Sequence, residues 1–454
     1  MSADARAAAS PGTPTPRWTD HLRVAWLVLT TLLGVVPFAL HILAAPFVTP
    51  IARRRMKRLL AEAADPSDDG PAIDPGAWAD KTVFVVAGEP SGDRLAAHVI
   101  EAMRAMAPGM HVRGYGGPAL SAAGARLDRD IVDHAVVGVW AVVASLPYWW
   151  RLCAQALAIF RETPPDLVLT VDFPGLNLRL ARWAKRRGIR VVHLVAPQTW
   201  AWAPWRTGRL RRAIDRMLVT FPFEERVFED AGISTAYVGH PLFEVPLPPP
   251  RSDAVARVKA PRIELRPGSR RRDVRRQAPI VLDAAEVLAA RFPGAELVAR
   301  LASPKAAAAF ADAQRGRRPI PGLRVEGASW DGTVDAALST SGTSTAELAA
   351  SLVPMVVFYR VSWLGRLGKV ALVTSPYIAM ANLLAGHEAV PERLVGAGGG
   401  RALADELARL LEDPSRWRGV RAELERVRAR LGREGVAVRA ARAVLAAPVA
   451  SARG

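Results

Sequence analysis

A single cysteine, Cys153, is all that 454 residues contain, which excludes an internal disulfide and any metal site built from several thiolates. It sits in an apolar stretch and reads as a buried, inert thiol. The eight histidines show no metal-ligand spacing, and the chain has no HExxH, no CxxC and no Walker phosphate loop. No bound metal and no cofactor is therefore expected. Acidic residues are scarce beside basic ones, 43 against 61, giving a net charge of +18 and a surface suited to phosphate-rich partners. Anionic lipid headgroups, nucleotides and nucleic acid all fit that sign. The 35 glycines and 36 prolines are too few and too scattered for a collagen-like or low-complexity chain, and no internal repeat is visible. Half of the residues are hydrophobic, and the length suits two compact domains with an added element.

That element is at the start. Residues 22–50 hold no Asp, Glu or Lys and only Arg23 and His41 as ionisable groups, a run long enough to cross a hydrocarbon layer of about 30 Å. It ends in Arg53, Arg54, Arg55, Lys57 and Arg58, which argues for a retained N-terminal membrane helix with everything after it on the cytoplasmic side of the inner membrane. Pro37 and Pro46 leave a re-entrant hairpin as the other form. Residues 51–80 then read as a basic stop and a polar linker.

From residue 81, short β-branched runs alternate with helix-forming stretches, the pattern of α/β layers with parallel strands. Strands are expected at 83–87, 112–115, 167–171, 191–195, 217–220 and 236–238, then at 263–265, 296–301, 323–326, 336–338 and 355–359. The two series suit two Rossmann-like halves with a cleft between them, in which ligands meet the loops after the strands. Apolar stretches at 136–150 and 361–373 carry Trp140, Trp149, Trp150 and Trp363, and suit either core packing or a lipid interface.

The loops carry the chemistry. Gly88-Glu89-Pro90-Ser91-Gly92-Asp93 opens a helix after the first strand, where backbone N–H groups face a ligand or where Ser91 or Asp93 caps the helix. Asp172-Phe173-Pro174-Gly175-Leu176-Asn177 puts a carboxylate at a strand's end, as a general base or as a cap. Trp200, Trp202 and Trp205 crowd one loop, for stacking on a sugar or for packing. Pro267-Gly268-Ser269-Arg270 and Ser341-Gly342-Thr343 offer N–H and hydroxyl donors to phosphate, with Glu347 about one turn into the second helix.

Taken in order, with Trp200-Ala201-Trp202, Gly239-His240-Pro241 and Asn382-Leu383-Leu384-Ala385-Gly386, these motifs resemble the lipid-A-disaccharide synthase family. The resemblance is dense from residue 81 to about 395. It implies an α/β fold of two Rossmann-like domains in the GT-B arrangement, with an acceptor-binding domain at 81–250, a UDP-sugar-binding domain at 251–425 and a C-terminal helix and tail at 426–454. It implies a transferase joining UDP-diacylglucosamine to diacylglucosamine 1-phosphate, with inner membrane lipids as surroundings and no nucleic acid. By the family's pattern Asp172 is the base. Gly268, Ser269, Arg270, Ser341, Gly342 and Thr343 hold the nucleotide diphosphate, Glu347 the ribose and Asn382 the reacting sugars. Glu89, Ser91, Asp93, Asn177, Trp200, Trp202 and His240 line the acceptor side.

Two departures stand out: Ala381 replaces a proline before Asn382, and His387 stands where the family has arginine. An imidazole in place of an always-charged fork alters contact with a substrate phosphate. Two other readings stay open on that account, a related UDP-sugar transferase with another lipid acceptor and a catalytically silent membrane-bound scaffold.

Overall fold

The computed structural model describes residues 14–32, 35–61, 73–132, 139–244, 259–328, 332–361 and 373–446. The strands fall into two sheets, both parallel throughout. The first holds β1 (Thr82–Ala87), β2 (His111–Gly116), β3 (Arg126–Asp130), β4 (Leu167–Val171), β5 (Arg190–Leu194), β6 (Arg216–Val219) and β7 (Ser234–Tyr237), in the order β3-β2-β1-β4-β5-β6-β7. The second holds β8 (Arg262–Arg266), β9 (Glu296–Arg300), β10 (Leu323–Glu326), β11 (Ala336–Thr340), β12 (Met355–Arg360) and β13 (Glu392–Val395), in the order β10-β9-β8-β11-β12-β13. Central strands such as β4 and β11 are buried at every residue, because helices cover both faces of a parallel sheet and leave no polar side.

Each sheet reverses its winding once, between β1 and β4 in the first and between β8 and β11 in the second. Loops at such a switch point diverge to opposite faces and leave a crevice beyond the strand ends. Ala87 pairs with Val171, so Gly88 and Asp172 leave the sheet side by side. Arg266 pairs with Ser339 at the corresponding place in the second sheet.

The chain divides into two compact units, one of residues 1–48, 66–244 and 434–454, the other of 49–65 and 245–433. The last helix, Val436–Leu445, packs on the helix Pro90–Met106 of the first unit, and Trp78 Nε1 donates to the Leu445 carbonyl at 2.8 Å. In the second unit Trp417 is buried, its Nε1 donating to the Asp335 carbonyl at 2.8 Å. Cys153 is buried on the helix Val139–Glu162, and that burial pushes its thiol up to about 12.

The expected spanning helix at 22–50 is not supported among the described residues. Its residues are shared between two helices, Trp18–Leu32 and Val35–Ala61, and among the described residues no helix is long and apolar enough to cross a membrane. Pro37, Pro46 and Pro50 lie within the second helix, which gives its last part to Arg53, Arg54, Arg55, Lys57 and Arg58. The basic stop is therefore helical as far as Ala61, and Arg53 donates to the Val373 carbonyl at 2.7 Å. Of the two apolar stretches singled out for lipid, residues 133–138 and 362–372 lie outside the described residues.

Candidate active site

At the β1/β4 switch point the backbone is forced into an unusual shape. Asp172 and Phe173 have φ of +48° and +45°, in the left-handed region that costs a non-glycine residue about 1 kcal/mol or more. Pro174 then opens the helix Pro174–Arg186 with its preset φ. Asn177, fully buried one turn in, holds this corner together. Its Nδ2 donates to the carbonyls of Asp172 at 2.7 Å, Val171 at 3.0 Å and Val86 at 3.3 Å, spanning both strands. Its Oδ1 is buried without a hydrogen-bond partner among the described residues.

The Phe173 ring is fixed from two sides. A Cβ on Gly88 would come within 2.5 Å of it, so only glycine allows the β1 loop this close, and Trp149 lies 5.5 Å away, centroid to centroid. Asp172 is half-buried beside them. Burial raises its carboxyl from its ordinary value, opposed by a hydrogen bond from the Phe173 amide. A carboxylate so placed is a stronger base than one in water.

The other expected acceptor-side residues divide. Asp93 is buried, and its oxygens accept from the amides of Gly117 at 2.7 Å and Ala119 at 3.0 Å, so it secures the short helix Pro118–Ala122 after β2. Glu89 stands at the N-cap of its helix with no side-chain cap, and Ser91 is exposed in the first turn. Trp200 is buried edge-to-face on Phe223, whereas Trp202 is 45% exposed with Arg206 over its ring at 5.5 Å. His240 packs on Phe221 and accepts from the Leu242 amide, and its burial lowers the imidazole to about 4, so it is neutral at physiological pH.

Sequence reasoning missed Glu224. This buried carboxylate accepts from Trp200 Nε1 at 3.0 Å and from the Phe221 amide at 3.2 Å, and desolvation pushes it up to about 7. Its folded value lies above the unfolded one, so its contribution is full below about pH 4.5 and is lost as pH rises to about 7, roughly 3 kcal/mol in all. Trp200→Phe removes a donor that matters most to the ionised form. Urea unfolding is expected to show a loss about 1 kcal/mol larger at pH 8 than at pH 5, and equal losses at both would refute this.

In the second unit Gly268 has φ +113° and brings the loop against Asp273, while Ser269 and Arg270 are exposed at the start of the helix Arg271–Arg291. Ser341 donates to the Ile378 carbonyl at 2.9 Å, and Gly342 is exposed ahead of the helix Thr343–Ala350. The side chain of Thr343 lies outside the described residues. Glu347 pairs with Arg266, the last residue of β8. Behind that pair runs a chain of charge that the sequence reading also missed. Arg266 Nε meets the buried Glu264 at 2.8 Å, Arg300 Nε meets the same oxygen at 2.6 Å, and Arg300 reaches Glu326 at 3.2 Å. Glu264 and Arg266 are two apart on one strand face, alternating with the apolar Ile263 and Leu265, and that buried charged alternation was the available signal.

Asn382 is fully buried rather than facing open space. Its amide exchanges hydrogen bonds with both backbone groups of Val390, at 2.9 and 3.0 Å. Glu392 in β13 accepts from the amides of Ile378 and Ala379 at 2.8–2.9 Å and from Asn382 at 3.3 Å, which fixes the loop that Ser341 also holds. His387 is exposed and meets Glu423 at 3.1 Å. Among the described residues no group of three or more His, Cys, Asp or Glu is arranged to hold a metal ion.

Comparison with known proteins bears on this arrangement. The lipid-A-disaccharide synthetase family profile matches residues 83–447. The chain is 38% identical over 369 residues to the lipid-A-disaccharide synthase of Anaeromyxobacter dehalogenans, covering 80% of this chain and 96% of that one. It is 36% identical over 385 residues to that of Geobacter metallireducens, covering 82% and 98%. Among solved structures, the calicheamicin glycosyltransferase CalG4 superposes with a TM-score of 0.52 at 15% identity, over 82% of this chain and all of that one. A Listeria monocytogenes structure described as a UDP-N-acetylglucosamine 2-epimerase gives 0.52 at 13%, over 79% and 94%. These two likenesses concern the fold, two parallel-sheet α/β units of the GT-B kind. With a match that runs through both sheets and both switch points, this chain belongs to the lipid-A-disaccharide synthetase family.

Proposed function

We propose that the chain transfers the sugar of UDP-2,3-diacylglucosamine to the 6-hydroxyl of 2,3-diacylglucosamine 1-phosphate, forming the β-1,6 disaccharide 1-phosphate and releasing UDP. The observation that carries this reading is Asp172, a half-buried carboxylate raised by desolvation and pinned at a switch point. In the step, the acceptor oxygen attacks the anomeric carbon, its proton passes to Asp172, and the bond from that carbon to the diphosphate oxygen breaks. Ser269 and Arg270, with the amides that open the helix Arg271–Arg291, receive the charge that develops on the leaving diphosphate. Glu347, tied to Arg266, is the ribose partner. Asn382 acts from beneath, through the loop that it and Glu392 hold. The lipid substrates place the enzyme at the cytoplasmic face of the inner membrane, with the N-terminal segment as the part that meets it.

Incubating the purified chain with both substrates, followed by mass spectrometry of the lipid product, tests the reading. The disaccharide phosphate is expected, and its absence with equimolar substrates in detergent would sink it. His387 favours one second reading, a transferase for another acceptor, because its imidazole is engaged with Glu423 where the family has arginine. If that position meets a substrate phosphate, His387→Arg is expected to lower KM about 3- to 10-fold with kcat unchanged. Unchanged KM for both substrates would leave His387 as a partner of Glu423 alone.

A further inference from the structure

The helix Trp18–Leu32 lies ahead of the segment that matches the family, which begins at residue 83. It is docked on the first unit by its polar side. Asp20 is buried and pairs with Arg161, the Arg17 amide donates to Asp20 at 2.9 Å, Trp150 Nε1 donates to His21 at 2.9 Å, and Val24 is buried. An ionic group is thus turned inward and the aromatic groups outward, the reverse of an ordinary surface helix. Trp18, Leu22 and Trp26, spaced four apart on one stripe, are 72%, 57% and 62% exposed.

Charge accompanies the stripe. Arg23 is exposed beside it and shares its neighbourhood with Arg187, which caps the helix Pro174–Arg186. That helix carries Arg179, Arg182 and Arg186 at spacings of three and four. Arg182 is held below its ordinary value, by burial first and then by the positive fields of its arginine neighbours. Fifteen residues of helix extend only about 22 Å, short of the ~30 Å hydrocarbon layer. Such a helix lies along an interface, where tryptophan rings sit at headgroup level.

We propose that the outward face of the helix Trp18–Leu32, with Trp18, Leu22 and Trp26, is a docking surface for an anionic bilayer, with Arg23 and Arg187 on the lipid phosphates. The inference deepens the proposed membrane association and rests on it. It makes the N-terminal helix a membrane foot that lies on the bilayer without spanning it. The foot grips the helix that carries Trp149, the residue packed on Phe173 next to Asp172.

The test uses the full chain and vesicle flotation, with phosphatidylcholine alone and with about 30% phosphatidylglycerol added. The parent is expected to float with the anionic vesicles and to be released by about 1 M salt. Trp18→Ser, Leu22→Ser and Trp26→Ser combined should cut the bound fraction at least about tenfold, since two aromatic anchors are removed. Arg23→Gln with Arg187→Gln should weaken binding to the anionic vesicles alone. Turnover on detergent-dispersed substrate should match the parent in the serine variant, which separates a failure of docking from a failure of the enzymatic reading. Unchanged flotation of the serine variant, equal binding of the parent to both vesicles, or binding that resists 1 M salt would each overturn the proposal. So would a parent dimer that the serine substitutions dissociate without altering flotation, because the occupant would then be a second copy.

Discussion

Asn in place of Asp172 is expected to lower turnover by roughly 10²- to 10⁴-fold while UDP affinity changes by less than about twofold. The substitution keeps the shape of the β4 corner, because Asn177 grips the backbone carbonyl of residue 172 and not its carboxylate. What disappears is the proton acceptor. Since burial raises the Asp172 carboxyl, kcat/KM of the parent should fall on the acid side through a pKa above that of a solvated aspartate, about 3.9. Protonation there removes the base, so activity is retained above that pKa and lost below it. Rate measurements from pH 4 to 8 with UDP binding by calorimetry decide the matter. Parallel loss of UDP affinity and rate in the variant would show that the carboxylate serves the nucleotide instead.

Glu264→Gln is expected to destabilise the second unit by about 3–5 kcal/mol, the cost of leaving buried cations without their counter-charge. One carboxylate there faces two guanidinium groups, each with a side chain only 6% exposed. Neither arginine can turn to water without breaking its other contact, to Glu347 or to Glu326. Glu347→Gln, at the half-exposed end of the chain, should cost less than about 1 kcal/mol. Urea unfolding of the two variants provides the comparison, and a loss under about 1 kcal/mol in Glu264→Gln would mean that the arginines find other partners.

The apolar runs at 83–87 and 167–171 were legible as strands because a strand covered on both faces has nothing polar to show. β3 and β13 were not. Their sequences, Arg126–Asp130 and Glu392–Val395, are charged, and both are edge strands whose outward side tolerates charge. The turns at Gly88, Asp172, Gly268 and Ser341 could be read as the loops that matter, since glycine and carboxylate at a strand's end leave a local mark. Through-space partners leave none. Glu264 meets Arg300 across 36 positions and Asp20 meets Arg161 across 141, so neither the charge chain nor the docked N-terminal helix was visible. The apolar run at 22–50 was read from hydropathy alone, which registers neither the buried Asp20–Arg161 pair just ahead of it nor its division between two helices.

The helix Val436–Leu445 completes the unit that begins the chain. Leu445 receives the Trp78 indole, the Ala443 carbonyl receives Arg216 at 3.2 Å, and Glu244 accepts from the Ala437 amide at 2.7 Å. During synthesis these sites emerge hundreds of residues before their partners. The first sheet can form on the ribosome, but its buried indole and its arginine wait on water until residues 436–445 have been made, by which time both pieces of the second unit, 49–65 and 245–433, are already synthesised. Synthesis of residues 436–445, rather than the completion of either sheet, is then the event that seals the first unit against proteases and against pairing with neighbouring nascent chains.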